Sequence, residues 1–258
     1  MAAIAAIQMT MKYSPLVRAI ILIGLCVPGV ALAQNRKVEP ILINAVDQPL
    51  LRSFVDLKNG KRVTHAISVG SSAQVHYTYD ADNGKLILLW RGGFLDATPM
   101  WHDRGDGSSR PLGKAIQFGD AIPEIQKLSS PQSPLKMDTT GSGFRQKGYT
   151  LDNEGLPTFK YTTFGLSVKD ATRVLEGAKG IRRQIELQGP ADDLYICLAS
   201  ANKIEKIGKG EYAIDDTAYL LKLDDLSALQ PKVRSVGGRK ELLVPVSKKI
   251  SYSILFNK

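Results

Sequence analysis

Short runs of β-branched and aromatic residues, each cut off by a turn signal, fill most of the 258-residue chain and leave little room for a helix. Residues 41–45, 51–57, 62–69, 74–79 and 86–90 are each of strand length. Asn59-Gly60 and Asp80-Ala81-Asp82-Asn83-Gly84 lie between neighbouring runs, where glycine supplies the positive φ of a tight hairpin. The first part of the chain therefore reads as an antiparallel meander. The rhythm returns at 158–164, 182–187, 193–199, 210–214, 218–223, 240–245 and 249–256. Helical periodicity is weak everywhere, and 168–175 is the one stretch where a helix is predicted. So many short strands predict an all-β chain, a large antiparallel β-sandwich or its enlarged supersandwich form, with two packed sheets and long central loops.

Residues 1–33 read as an export signal. Lys12 and Arg18 precede an apolar stretch, and Ala31-Leu32-Ala33 gives a small-x-small cleavage site. Pro28 and Gly29 interrupt an apolar run that is already short for a bilayer span. The expectation is a single domain over 34–258, periplasmic or secreted, with no membrane attachment after cleavage. Removing the signal takes away two basic residues and no acid, which lowers the formal charge from +9 to +7. The remaining basic residues are scattered among acids, with no stripe, stacking motif or recognition helix, so nucleic acid is not an expected partner. After cleavage Cys197 has no second cysteine to pair with. Its apolar surroundings, Leu194-Tyr195-Ile196-Cys197-Leu198, suit a buried thiol that is chemically inert.

The densest chemistry lies between Trp90 and Gly113, W-R-G-G-F-L-D-A-T-P-M-W-H-D-R-G-D-G-S-S-R-P-L-G. Gly and Pro at this density exclude a long regular element, and rings and charges are costly to leave idle on a surface loop. His102 stands among Asp96, Asp103 and Asp106, and a carboxylate can fix an imidazole's tautomer and raise its basicity. These residues, with His102 as the proton carrier and Asp96 or Asp106 as the opposite partner, form the candidate acid/base set. Arg91, Trp101, Asp103 and Arg104 are the candidate ligand contacts, since an indole face meets sugar C–H groups while Arg and Asp meet hydroxyls. The competing reading is that the aspartates close Asx turns and the arginines brace the loop. Trp90, at the end of an apolar strand, reads as core. Residues 139–149, T-T-G-S-G-F-R-Q-K-G-Y, read as a second site-forming loop.

His65 and His76 lie in strand-like text without metal-ligand spacing and read as satisfied structural histidines, with a shared metal site with His102 as the weaker alternative. No cofactor is expected, and no C-x-x-C-H is present for covalent haem.

Gly60 to Gly70, Val75 to Asp80, Leu88 to Gly107 and Gly155 to Tyr161, with the W-R-G-x-F-L-D-A block at their centre, resemble an uncharacterised region of secreted bacterial proteins. That region often accompanies c-type cytochrome and quinoprotein-like sugar dehydrogenase domains. The layout is also similar, by a weaker analogy of fold alone, to galactose-mutarotase-like β-sandwiches. The resemblance implies work near periplasmic sugar oxidation. The expected function is binding of a carbohydrate or oxidised sugar, with or without turnover. The alternative is a non-catalytic accessory module that docks a periplasmic cytochrome or dehydrogenase through its basic surface.

Overall fold

Side chains that alternate in polarity along a strand commit one face to a core and one to water, and β2, Leu50–Asp56, shows that alternation residue by residue. The computed structural model describes residues 38–102 and 105–257. The predicted signal at 1–33 and the residues Asp103 and Arg104 lie outside the described residues. Within them the strands run in chain order as β1 Leu42–Ile43, β2 Leu50–Asp56, β3 Arg62–Val69, β4 Val75–Asp80, β5 Lys85–Arg91, β6 Gly93–Asp96, β7 Arg110–Leu112, β8 Ile116–Gln117, β9 Ile125–Lys127 and β10 Arg145–Leu151. The series continues with β11 Pro157–Thr163, β12 Leu166–Val174, β13 Gly180–Gln188, β14 Leu194–Ala201, β15 Ile204–Gly208, β16 Glu211–Ile214, β17 Tyr219–Leu223, β18 Lys232–Val236, β19 Arg239–Pro245 and β20 Lys249–Phe256. The fold is all-β, and strands pair antiparallel through the two largest sheets.

Among the described residues four sheets form, where two were expected. Their orders are β2-β3-β4-β5-β8, β10-β11-β12-β13-β20-β17-β16-β15, β18-β19-β14-β9 and β1-β6-β7. The five-stranded sheet is an inner layer, because every residue of β4 and all of β5 except Arg91 is buried. One of its faces sends Ile67, Tyr77, Tyr79 and Leu89 into a core shared with Phe159, Val168 and Ile185 of the eight-stranded sheet. The other face packs Val55, Val63, Ile87 and Trp90 against Phe94 and Leu95 of the three-stranded sheet. This double burial is why K-L-I-L-L-W reads as a continuous apolar run without alternation. Trp90 is a core residue as expected, and its indole N–H donates to the carbonyls of Gly93 at 3.0 Å and Phe94 at 3.1 Å.

The helix predicted over 168–175 is absent. Residues 168–174 belong to β12, whose pattern of buried Leu166, Val168, Asp170 and Thr172 has period two. Thr and Val are stiff at χ1 and suit a pleated surface, and pairing with β11 and β13 on both sides overrides the weak local periodicity. The hairpin turn before β5 depends on Gly84, which has φ +64°. A Cβ there would sit 2.7 Å from the Tyr161 ring, so the turn and the neighbouring sheet meet through a position only glycine fills without strain.

Candidate functional site

Two β-bulges shape the walls of one open hollow. In the β2–β3 ladder Ser53 pairs with Ala66 and Val55 with Val63, so that Thr64 and His65 together oppose Phe54. The extra residue breaks the alternation of β3, and both Thr64 and His65 are exposed. Phe54 directs its backbone to the central loop, with its N–H on the Gly107 carbonyl at 3.0 Å and its carbonyl accepting from Ser109 N–H at 2.9 Å. In the β10–β11 ladder Gln146 pairs with Tyr161 and Tyr149 with Phe159, which leaves Lys147 and Gly148 as a second bulge, Gly148 at φ 78°. Between these walls lies a cavity of about 560 Å³, lined by Arg52, Phe54, His65, Asp82, Met100 and Gln146 among others.

The polar groups of the hollow are held from behind. Both carboxylate oxygens of Asp82 lie 2.9 Å from His65 Nδ1. In the neutral ring that places the proton on Nδ1, donated to Asp82, and leaves Nε2 as the nitrogen open to a ligand. The two side chains are 71% and 51% exposed, so the pair adds little to stability and acts mainly to orient the ring. Asp82 is fixed in turn by buried Asp80. One Asp80 oxygen accepts from the Asp82 N–H at 2.9 Å, the other from the Asn83 amide at 2.6 Å. Burial pushes the Asp80 carboxyl above the usual carboxylate range, opposed by the hydrogen bonds from Asn83 and Asp82. Ala81 ties the turn to both walls, its N–H on the His65 carbonyl at 3.0 Å and its own carbonyl accepting from Gln146 at 3.4 Å. Arg52 lies over the Tyr149 ring with 5.5 Å between guanidinium carbon and centroid, a cation–π contact across the two walls.

The described residues among those singled out between 90 and 113, Arg91, Asp96, Trp101, His102 and Asp106, do not converge on this hollow. Asp96 closes an Asx turn, accepting from Thr98 N–H at 2.8 Å. Asp106 does the same for the Ser108 N–H at 2.8 Å and hydroxyl at 2.6 Å, and those bonds, led by the hydroxyl, hold its carboxyl below the usual range. Arg91 donates to the Ala178 carbonyl at 3.2 Å and 2.5 Å and covers the Phe256 ring at 4.2 Å, away from the loop it was expected to serve. The turn-closing and bracing reading describes these three. Trp101 ends the single helical turn Thr98–Trp101 and is 48% exposed, while the neighbouring Met100 supplies the pocket contact. His102 follows that turn, its N–H on the Thr98 carbonyl at 2.9 Å, and does not line the hollow. The central segment does contribute to the site through Met100 and Gly107, but as a wall. The 139–149 stretch contributes through Gln146 and Gly148, and its second half is the edge strand β10, not a loop.

Of the histidines, His76 fits the structural expectation. Its Nδ1 accepts from Ser71 N–H at 3.1 Å, its Nε2 lies 2.9 Å from the Gly92 carbonyl, and burial holds its pKa below the usual histidine value. His65 does not fit it, and stands at the pocket wall. Among the described residues no group of three or more His, Cys, Asp or Glu side chains comes together in a way that could hold a metal ion. Cys197 is buried, and burial pushes its thiol up to about 12. No protein-family model matches the chain, and no curated protein matches it.

Proposed function

We propose that this is an exported β-sandwich protein that binds a carbohydrate or an oxidised sugar in the hollow between the two bulges, with His65 and Asp82 handling a proton of the bound ligand. The observation that carries the reading is the imidazole held by both oxygens of one carboxylate on the wall of a largely apolar cavity. The volume lies inside the range of about 300–1,000 Å³ common to small-molecule sites. Phe54, Met100 and Ala66 offer surfaces for the C–H face of a pyranose ring, while Thr64, Gln146 and Arg52 offer partners for hydroxyls. Export rests on the pattern at residues 1–33.

The chemistry available to this arrangement is proton transfer. A ligand hydroxyl gives its proton to His65 Nε2 while Nδ1–H stays on Asp82, and the resulting imidazolium returns the proton to the same ligand, so no co-reactant is consumed. Asp80 is a positioning residue in this scheme, acting through the Asp82 backbone.

Calorimetric titration of the purified protein with monosaccharides, disaccharides and their 3-keto forms tests the reading. Saturable binding of at least one of them is expected, weakened by Phe54→Ala and by His65→Ala and unchanged by His102→Ala. Absence of binding across the panel contradicts it, as does binding lost with His102 and kept without His65.

A further inference from the structure

The hollow holds one arginine whose N–H groups meet no carboxylate among the described residues. Arg62, Arg173, Arg182, Arg183 and Arg234 each meet a carboxylate within 3.2 Å. Arg52 meets none among the described residues, and its guanidinium lies over the Tyr149 ring. A cation–π contact consumes none of the guanidinium N–H donors, which stay available to bind a carboxylate through two parallel hydrogen bonds. The acidic side chain on the pocket wall, Asp82, shares the one His65 Nδ1–H between its two oxygens and keeps its negative charge. Arg52 is therefore the wall's cation with donors to spare, beside an Asp82 carboxylate whose oxygens face the His65 N–H. The apolar surface around them, Phe54, Ala66, Ile67 and Met100, keeps water from screening a bound anion as well as it would on an open face.

Resting on the carbohydrate reading of this pocket, we propose that its preferred ligands are sugar acids, uronates or aldonates, whose carboxylate is received by Arg52 while the sugar body lies against Phe54 and Met100 and a hydroxyl meets His65. The bulge at Gly148 serves this arrangement. Extra length in β10 at Lys147 and Gly148 sets Gln146 and Tyr149 out of simple alternation, so that Gln146 reaches the Ala81 carbonyl while Tyr149 lies under Arg52.

The test compares glucuronate, its methyl ester, glucose and hexanoate by calorimetric titration of the wild-type protein, Arg52→Gln and Arg52→Lys. A charge-assisted pair predicts that glucuronate binds roughly tenfold to a hundredfold more tightly than its ester, with affinity falling as salt rises. Arg52→Gln brings glucuronate down to the level of the ester, and Arg52→Lys keeps part of the preference. Equal binding of acid and ester, or a preference that survives Arg52→Gln, overturns this proposal and leaves sugar binding in the pocket standing. Hexanoate binding as tightly as glucuronate overturns the sugar-acid assignment in favour of a plain carboxylate site. No binding of glucose, ester or acid overturns the carbohydrate reading itself and this proposal with it.

Discussion

Arg183 on β13 and Arg52 on β2 use the same functional group in opposite ways. Arg183 is 1% exposed, and its guanidinium spends every N–H inside the protein: Nε and Nη2 on the Asp170 carboxylate at 2.9 and 2.6 Å, Nη1 on Glu124 at 2.9 Å and the Tyr252 hydroxyl at 2.8 Å, and Nη2 again on the Gly84 carbonyl at 3.3 Å. These partners come from β12, β20, the segment before β9 and the turn before β5, so one side chain ties the hairpin of the five-stranded sheet to the eight-stranded sheet. Burial pulls its pKa down, but Asp170 and Glu124 outweigh that and hold it well above its ordinary value. Arg52 has an aromatic ring beneath it and no carboxylate among the described residues. A buried charge has to be satisfied by the protein itself, whereas a charge at a cavity mouth can stay solvated until a ligand arrives. Burial, more than residue type, separates the structural cluster from the candidate site.

The largest expected effect follows from breaking the buried side of this contrast. Arg183→Met strands two carboxylates in the core, and urea unfolding should show a loss of about 3–5 kcal/mol. Replacing Arg183, Asp170 and Glu124 together with apolar residues of similar volume should recover part of that loss, since the desolvation cost leaves with the charges. Glu124 carries the next effect. Burial pushes its carboxyl above the usual range despite the Arg183 and Lys85 charges, and its second oxygen has no partner among the described residues. A folded-state pKa above the unfolded one means that this group's stabilisation is complete at pH below the unfolded carboxylate value and is lost as pH rises through the folded value. Wild-type unfolding midpoints should therefore carry a downward component across that window that Glu124→Gln lacks; identical pH profiles would show that Glu124 keeps its charge in the core.

On the exposed side the same kind of change should leave the fold alone. His65→Ala removes a pair whose members are more than half exposed, so stability should move by no more than about 0.5 kcal/mol while sugar affinity falls. A large loss of stability without a change in binding would reverse the assignment of the two regions. The smallest effect expected is at Cys197, which lies in the electrostatic reach of Glu124 and Lys85. With its thiol pushed up to about 12 by burial, it should resist an aromatic disulfide reagent in the native protein and react once unfolded. Labelling at the rate of an exposed thiol would mean that the buried region opens readily.

Much of this architecture was legible in the text of the chain. Arg62–Val69 and Lys249–Phe256 carry enough β-branched residues between clear breakers to fix their ends, and both strands appear where expected. The apolar run through Leu89 and Trp90 correctly marked Trp90 as core. Sheet number was not legible, because alternation reports that a strand has a buried face and not which sheet covers it. The hollow between the bulges was not legible for a related reason. Rings and charges crowded between 90 and 113 look like chemistry, yet Asp96 and Asp106 are consumed by local turns that any Asx residue before a loop can make. The residues that do line a cavity are far apart in sequence, and only pairing brings Phe54, His65, Asp82 and Gln146 together. The signals that were present are small. Thr64-His65 is a polar doublet where β3 should alternate, and Gly148 interrupts a strand between Gln146 and Tyr149; each marks a bulge, and bulges re-aim side chains.

The hollow between these bulges is the proposed seat of the ligand. Backbone amide shifts of ¹⁵N-labelled protein, followed during titration with glucose and with glucuronate, test that directly. The largest changes are expected at Arg52, Phe54, Thr64, His65, Asp82 and Gln146, with Arg183 and its partners unmoved. Changes centred on Trp101, His102 and Asp106, or none with either sugar, would contradict it.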